Sequence, residues 1–366
     1  MQGLLTGLAR GFKTWIGWKR LGIAASIFII AFAITTLVRT LKGVDGGVIL
    51  TALTEIPTSH IALAALCVVG AFCTLTFYDF FALRTIGKKH VPYRIAALSS
   101  FTSYSIGHNI GATVFTGGAI RFRIYSDYGL NAIDVAKICF LSGLTFWLGN
   151  IFVLGIGMVL HPGAASAMDQ LPEAINRMFG IGGVGAIFAY LGWLSVGENR
   201  RELGQNGWKV VLPSARFTLL QILIGVVDLS FCATAMYLLM PTEPHIDFMS
   251  LAVVFILATL LGFASHAPGS IGVFDAAMLL ALPQFGREQL LATLLVFRVL
   301  YFVIPFGTAI SIMGTRELWM NVVVPWQQRR RLNGSANSSR RVAAVPPPGA
   351  TATPVPQRVT RMKSRG

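Results

Sequence analysis

The chain has 366 residues, of which 54% are hydrophobic and only 12% are charged, and its formal net charge is +15 at pH 7. A soluble domain cannot bury this much apolar surface, so the composition excludes an ordinary water-soluble enzyme and predicts an integral membrane protein. Most of the excess positive charge lies at the two ends of the chain. This favours contact with anionic membrane surfaces over nucleic acid, because no nucleic-acid recognition motif accompanies it.

Seven apolar stretches are long enough to cross about 30 Å of hydrocarbon as helices. In chain order they are Leu21–Val38, Ile61–Phe81, Val135–Leu160, Met178–Val196, Pro213–Met240, Phe248–Ala264 and Leu290–Met313. The charge distribution makes Phe248–Ala264 part of a hairpin, which leaves six spanning helices. The first follows basic residues as a signal peptide would, but its length and the lack of a cleavage site favour a membrane helix. We therefore expect a basic N-terminus over residues 1–20, a transmembrane domain over 21–325 and a disordered basic tail over 326–366.

Lys and Arg are distributed unevenly between the connecting segments. One set of segments carries 23 of these residues and the opposite set carries 4; the first set is 1–20, 82–94, 121–134, 197–212 and 314–366. The positive-inside rule places the first set and both termini in the cytoplasm of a bacterial inner membrane. Both flanks of the apolar region 95–120 belong to this set, so we expect it to enter and return as a hairpin. By the same reasoning we expect the region 248–283 to form a second hairpin, which enters from the opposite face of the membrane and returns to it.

Each predicted hairpin carries a His-x-x-Gly motif near its middle, at 108–111 and 266–269. A Gly turn and a spanning helix follow each motif, which indicates a weak inverted repeat of the kind that marks a midplane site in transporters. The expected hinges are Gly111, Gly117, Gly118, Pro268, Gly269 and Gly272. Close helix packing is the alternative role for such glycines, and we prefer it for Gly180, Gly182 and Gly185, because no strand precedes them as a dinucleotide site requires.

Ionisable residues inside apolar segments are costly, which makes them candidates for function. Arg298 lies about eight residues into its helix, roughly 12 Å deep at 1.5 Å per residue. The other candidates are Asp228 at the centre of its helix, Asp275 in the second hairpin, Asp79 near a cytoplasmic helix end, and Arg121 and Arg123 where the first hairpin reaches the surface. The alternatives are structural ion pairs for Arg298, Asp228 and Asp275, an interfacial position for Asp79, surface anchoring for Arg121 and Arg123, and hydrogen-bonded core positions for His108 and His266.

An arginine in a wet mid-membrane pocket suits a phosphate group, because its planar fork makes bidentate bonds to phosphate oxygens. The surrounding apolar helices suit acyl chains, so the expected ligand is an anionic phospholipid or a polyprenyl phosphate. We expect Arg298, Arg121, Arg123, His108 and His266 to contact it. Asp79, Asp228 and Asp275 would tune the charge or carry a coupling proton. We expect no cofactor and no metal, because two lone histidines do not make a ligand set.

Three stretches at these residues, YSIGHNIGATVFTGGAIRFRIY, HAPGSIGVFDAAML and FRVLYFVIPF, resemble the membrane half of the lysylphosphatidylglycerol synthase/flippase family (multiple peptide resistance factor). The similarity spans most of residues 20 to 315. Family members often have Glu at the position of Asp275. Full-length members add a soluble domain that transfers an aminoacyl group to phosphatidylglycerol. The resemblance implies the lipid-handling half and not the transferase.

Two other functions remain open from the sequence. The chain could be an accessory subunit of a separate lipid-modifying enzyme in an aminoacyl-phosphatidylglycerol, hopanoid or glycolipid pathway. An enzyme in its own right ranks last, because no nucleophile–base pair or metal set is recognisable. Self-association into a homo-oligomer is a further open possibility.

Overall fold

The computed structural model describes residues 47, 51, 54–111, 113–196, 202–203, 210–265 and 268–319. The predicted first span Leu21–Val38, His266 and the basic tail 326–366 lie outside the described residues. Internal contacts divide the chain into two units, residues 1–311 and 312–366. Of the second unit the structure describes the end of the last helix, residues 312–319.

The described chain is almost entirely helical. Its helices are α1 (Thr58–Thr85), α2 (Tyr93–Ile110), α3 (Thr113–Tyr125), α4 (Ala132–Leu160), α5 (Pro162–Asp169), α6 (Glu173–Ser195), α7 (Ala215–Leu239), α8 (Phe248–Ala264), α9 (Val273–Ala281), α10 (Arg287–Arg298) and α11 (Ile304–Leu318). A π-helical segment, Val299–Val303, joins α10 to α11 without a break. The short strands Glu202–Leu203 and Val210–Val211 pair antiparallel in the loop between α6 and α7.

Five helices are long and apolar enough to cross a membrane: α1, α4, α6, α7 and the continuous run Arg287–Leu318. They coincide with five of the six predicted spans, and the sixth lies outside the described residues. The prediction of an all-α polytopic membrane protein is confirmed.

Two pairs of short helices occupy the regions where charge counting predicted hairpins. We call α2–α3 the first hairpin and α8–α9 the second hairpin; the two arms of each pack against one another. The first breaks at Gly111, whose φ is +82°. The second breaks across a 3₁₀ turn at Pro268–Ser270. This turn packs against α2, so the tip of the second hairpin meets the first hairpin inside the protein.

Glycines let α4 and α7 approach closely. A Cβ added at Gly149 would lie 2.7 Å from the Cα of Gly225, closer than real Cβ atoms come to other atoms. Gly180 of α6 meets the backbone of α4 in the same way, 2.6 Å from the carbonyl oxygen of Gly155. The packing interpretation therefore holds for Gly180. A Cβ at Gly182 or Gly185 would meet no atom of the described residues within 4 Å, so the packing seen at Gly180 does not extend to these two positions there.

Candidate functional site

A buried ion pair joins the first hairpin to α1. Arg121 donates from Nε to both carboxylate oxygens of Asp79, at 3.1 and 3.0 Å, and from Nη2 to Oδ1 at 2.8 Å. The hydroxyls of Tyr125 and Ser142 donate to the same carboxylate at 2.9 and 3.2 Å. The guanidinium carbon also lies 4.9 Å from the ring centroid of Tyr104. Asp79 is 0% and Arg121 4% exposed, and the two charges compensate each other as burial requires.

The sequence predicted Arg121 at the cytoplasmic surface. This prediction is wrong, because the side chain of Arg121 is buried inside the protein. Arg123 does hold a surface position, with its side chain 46% exposed and Nη1 3.8 Å from Asp127. The two arginines differ because residues two apart on an α-helix point about 200° apart. Gly117 makes room for the buried guanidinium, since a Cβ there would lie 3.1 Å from Nη1 of Arg121. Gly117 and Gly118 lie inside α3, so neither is the hinge that the sequence predicted.

A second ion pair joins the second hairpin to α10. Arg298 donates from Nε to Oδ1 of Asp275 at 3.0 Å and from Nη2 to Oδ2 at 2.6 Å. The same guanidinium donates from Nη1 to the carbonyl of Gly269 at 2.9 Å and from Nη2 to that of Ser270 at 3.4 Å. The amide of Gly272 donates to Oδ2 of Asp275 at 3.0 Å, which fixes the carboxylate at the start of α9. Arg298 is 7% exposed, so it is held inside the protein.

The broken tip of the second hairpin explains why an arginine lies at this depth. Gly269, Ser270 and Gly272 have φ values of +60°, +53° and +82°. Carbonyls at such a break have no helical partner, and inside a membrane only other protein groups or a wet cavity satisfy them. Arg298 supplies the donors for two of these carbonyls. Gly262 on α8 lets the tip approach, because a Cβ there would lie 2.6 Å from that of Ser270.

His108 lies between the two hairpins. Its ring centroid is 5.3 Å from that of Phe263 at the end of α8 and 6.4 Å from that of Tyr301 in the π-helical segment. The next residue, Asn109, donates from Nδ2 to the carbonyl of Phe302 at 3.2 Å. The end of α2 therefore contacts both the second hairpin and the π-helical segment beside Arg298. Short π-helical segments inside α-helices are frequent at functional sites.

Asp228 at the centre of α7 is a buried carboxylate of a different kind. Thr74 lies 3.2 Å from Oδ1 and the hydroxyl of Tyr78 lies 3.3 Å from Oδ2, both from α1. Asp228 is 5% exposed, and among the described residues no cation lies within ion-pair distance of it. The carboxylates of Asp79 and Asp275, in contrast, each have an arginine partner.

The face of α2 that packs into the protein is polar. Its buried side chains include Ser100, Thr102, Ser103 and Ser105. Among the described residues the hydroxyls of Ser103 and Ser105 have no hydrogen-bond partner. Buried polar groups normally have partners, so these two hydroxyls are available to a polar group that enters beside the first hairpin.

An apolar groove of about 700 Å³ runs between α3 and α4. Its walls include the exposed side chains of Val114, Phe115 and Trp147, and Gly143 leaves part of its floor open. Cys139 also lines the groove, and its thiol lies against the guanidinium of Arg121. The groove therefore passes beside the first ion pair.

All four charged members of the two pairs were candidates from the sequence, whereas the hydroxyl groups around them were not. The sequence contained a weak indication for Tyr125, because this residue follows Arg121 by about one helical turn and therefore lies on the same helix face. Nothing in the sequence pointed to Ser142, Thr74 or Tyr78. Asp228 stays apart from both pairs, and His266 lies outside the described residues.

Comparison with known proteins identifies relatives along most of the chain, although no family model matches it. The uncharacterized protein slr0712 of Synechocystis is 30% identical over 265 residues, which cover 72% of this chain and 80% of that protein. The inner membrane protein YbhN of Escherichia coli is 29% identical over 308 residues, 83% of this chain and 91% of its own length. The phosphatidylglycerol lysyltransferase of Staphylococcus aureus strain MRSA252 is 24% identical over 295 residues, which are 78% of this chain but 32% of the lysyltransferase.

These matches agree with the resemblance found in the hairpin motifs. They cover between 72% and 83% of this chain. The chain therefore belongs to the family of multi-pass membrane proteins formed by these relatives and by the membrane domain of the lysylphosphatidylglycerol synthase/flippase proteins.

Proposed function

We propose that this protein is a lipid translocator of the bacterial inner membrane that moves a lipid with an anionic phosphate headgroup between the two leaflets. Both termini are then cytoplasmic, and the two hairpins are the moving parts. The observation that carries the proposal is the two arginine–carboxylate ion pairs, of which the first is buried and the second half-buried. Each contact ties one broken apolar hairpin to a spanning helix.

The chemistry of these contacts suits exchange with a phosphate. A carboxylate and a phosphate both accept two parallel N–H bonds from a guanidinium, so one can replace the other without leaving the arginine charge unpaired. At Arg298 the incoming phosphate would displace Asp275 and the tip carbonyls of Gly269 and Ser270. Displacement would free the tip of the second hairpin, which gives lipid binding a direct route to movement.

The groove between α3 and α4 suits an acyl chain of the same lipid. The groove is lined by apolar side chains, several of which are exposed on the surface of the protein. Cys139, which also lines it, lies against Arg121. A lipid with its chain in this groove would place its phosphate near the first ion pair and the free hydroxyls of α2. Arg123, exposed at the end of the same hairpin, would contact the headgroup at the surface.

Phosphatidylglycerol is the first lipid to test. The relative from Staphylococcus aureus is a phosphatidylglycerol lysyltransferase by name, and the matched segment is 32% of its length. A polyprenyl phosphate offers the same phosphate chemistry with a longer chain. Comparing the two lipids in one assay distinguishes them.

The first experiment measures transbilayer movement of headgroup-labelled phosphatidylglycerol in proteoliposomes containing the purified protein. Arg298→Lys keeps the positive charge but loses the bidentate fork. Hydrogen bonds to charged groups contribute about 1.5–3 kcal/mol, so we expect movement to slow about ten- to a hundredfold. Arg298→Ala should slow it at least as much. Arg216→Lys, at the exposed start of α7, is the matched control and should move lipid at the wild-type rate. Wild-type movement in folded Arg298→Lys and Arg298→Ala would exclude the role of Arg298.

The second experiment fills the groove. A Cβ at Gly143 would meet no atom of the described part of the chain within 4 Å, so we expect Gly143→Phe to fold and to place its ring where the acyl chain is proposed to lie. We expect slower lipid movement from this variant. Gly182→Phe on α6 is the matched control, because that glycine also faces open space and lies outside the groove. Equal rates in the two variants would remove the groove from the mechanism.

A second candidate function follows from the length of the matches. The Staphylococcus aureus lysyltransferase carries about two thirds of its chain outside the matched segment. An accessory subunit would bind a separate lipid-modifying enzyme and move no lipid alone. Inactivity of the purified wild-type protein with every phosphate lipid, together with copurification of a transferase, would favour this function.

A further inference from the structure

We propose that Asp228 is a proton-binding site, that it carries a proton in the conformation described here, and that release and uptake of this proton are linked to lipid movement. The linkage rests on the proposed function; the proton-binding site does not. Asp79 and Asp228 are the buried carboxylates of the described residues, and of these two Asp228 has no arginine partner there.

The hydrogen bonds of Thr74 indicate where the proton lies. A threonine hydroxyl has one hydrogen to donate. The Oγ1 of Thr74 lies 2.6 Å from the carbonyl oxygen of Ala71 and 3.2 Å from Oδ1 of Asp228. The shorter contact takes the hydroxyl hydrogen, because a carbonyl can only accept. The contact with Oδ1 is then attractive only if the hydrogen between the two oxygens belongs to Asp228.

Oδ2 of Asp228 completes this arrangement. It lies 3.3 Å from the hydroxyl of Tyr78, which can donate to it. A neutral carboxylic acid therefore donates once, to Thr74, and accepts once, from Tyr78. An ionised carboxylate in the same place would have one long hydrogen bond and no counter-ion, which burial strongly disfavours.

In the part of the chain that the structure describes, no Lys or Arg lies within ion-pair distance of Asp228, and its carboxyl oxygens contact Thr74 and Tyr78. The titratable side chains that interact with it are Tyr78 from α1, Tyr104 from α2, Cys232 from α7 itself and Tyr301 from the π-helical segment. Phenols and thiols are ordinarily neutral at pH 7. Among these interacting groups only Asp228 is a carboxyl, so a change of charge comes from its own proton.

The position of Asp228 connects the proton to both hairpins. Tyr78 packs edge-on against Tyr104, with ring centroids 5.9 Å apart, and Tyr104 lies under the guanidinium of Arg121. On the other side Tyr301 lies beside His108 at the tip of the first hairpin. Loss of the proton leaves a carboxylate and sends one H⁺ to water. That new charge lies among residues that contact both moving parts, so it changes their relative stability.

The first test detects the proton on Asp228 directly and does not depend on lipid transport. Infrared difference spectra are recorded between wild-type protein and Asp228→Asn, and between wild type and Asp79→Asn. We expect the carbonyl band of a protonated carboxylic acid to disappear in Asp228→Asn. Asp79→Asn is the matched control and should leave the acid band in place, because both carboxylate oxygens of Asp79 accept hydrogen bonds from Arg121. An unchanged acid band in Asp228→Asn would overturn the proton-binding site.

The second test concerns the linkage. Lipid movement is measured in proteoliposomes with and without an imposed pH gradient. The wild-type rate should change with the gradient. Asp228→Asn, in which the amide replaces the neutral acid at similar size, should fold and show no gradient dependence. A gradient response in Asp228→Asn equal to that of wild type would overturn the linkage. If wild-type protein moves no lipid at all, the proposed function and the linkage fail together, while the infrared band still decides the proton-binding site.

Discussion

Removing Asp79 and removing Arg121 both break their ion pair, but the two substitutions should destabilise the protein by different amounts. Asp79→Ala strands a guanidinium that stays charged in proteins, and it removes the acceptor of Tyr125 and Ser142. Removing one partner of a buried ion pair costs about 3–5 kcal/mol, and we expect Asp79→Ala near the upper value. Arg121→Met leaves Asp79 with both hydroxyl donors, so we expect a loss nearer 3 kcal/mol.

Equilibrium unfolding in mixed detergent micelles, followed by circular dichroism, measures these losses. The combined variant Asp79→Ala/Arg121→Met should lose less than the sum of the two single variants, because neither charge is then left alone. Arg123→Met is the matched control. Its surface contact with Asp127 is partly exposed, so we expect a change of about 0.5 kcal/mol or less. Losses below about 1 kcal/mol in both single variants, the range of surface pairs, would refute the reasoning.

Three further predictions concern the scaffold. Gly225→Leu should destabilise by several kcal/mol, about 3 or more, because its side chain would meet the backbone of Gly149 where α4 and α7 cross; unfolding measurements check this. Asn109→Ala should cost about 1 kcal/mol and increase hydrogen exchange across Val299–Val303, since it removes the donor to a carbonyl there. The amide of Ser250 lowers the pKa of the Asp247 carboxyl at the start of α8. The stability that wild type gains over Asp247→Ala, about 0.5–1 kcal/mol, should therefore be present at pH 7 and disappear as the pH falls below about 4. A difference that grows in acid would contradict this assignment.

The spanning helices and the hairpins were predictable because both depend on the surrounding bilayer rather than on tertiary contacts. Hydrocarbon thickness fixes how long an apolar segment must be. The distribution of Lys and Arg around 95–120 required that region to return to its own side, and α2 and α3 occupy it. The break at Gly111 was predictable for a local reason, because a φ of +82° favours glycine.

The pairing of charges was not predictable, because it depends on which helices pack together. Asp79 and Arg121 are 42 residues apart, and nothing local distinguishes Arg121 from Arg123, which lies at the surface. Gly117 was misassigned for the same reason. A glycine that makes room for a neighbouring side chain and a glycine that breaks a helix look alike in sequence, and the packing of α3 against α2 decides between them.

The measurement that tests the central claim most directly uses wild-type protein alone. Purified protein is reconstituted without any partner, and the transbilayer rate of labelled phosphatidylglycerol is compared with that of protein-free liposomes and of liposomes containing folded Arg298→Ala. We expect wild-type protein to move the lipid well above the protein-free rate, and Arg298→Ala to stay near the protein-free value. The proposed function is contradicted if folded, correctly inserted wild-type protein moves neither phosphatidylglycerol nor a polyprenyl phosphate faster than protein-free liposomes do.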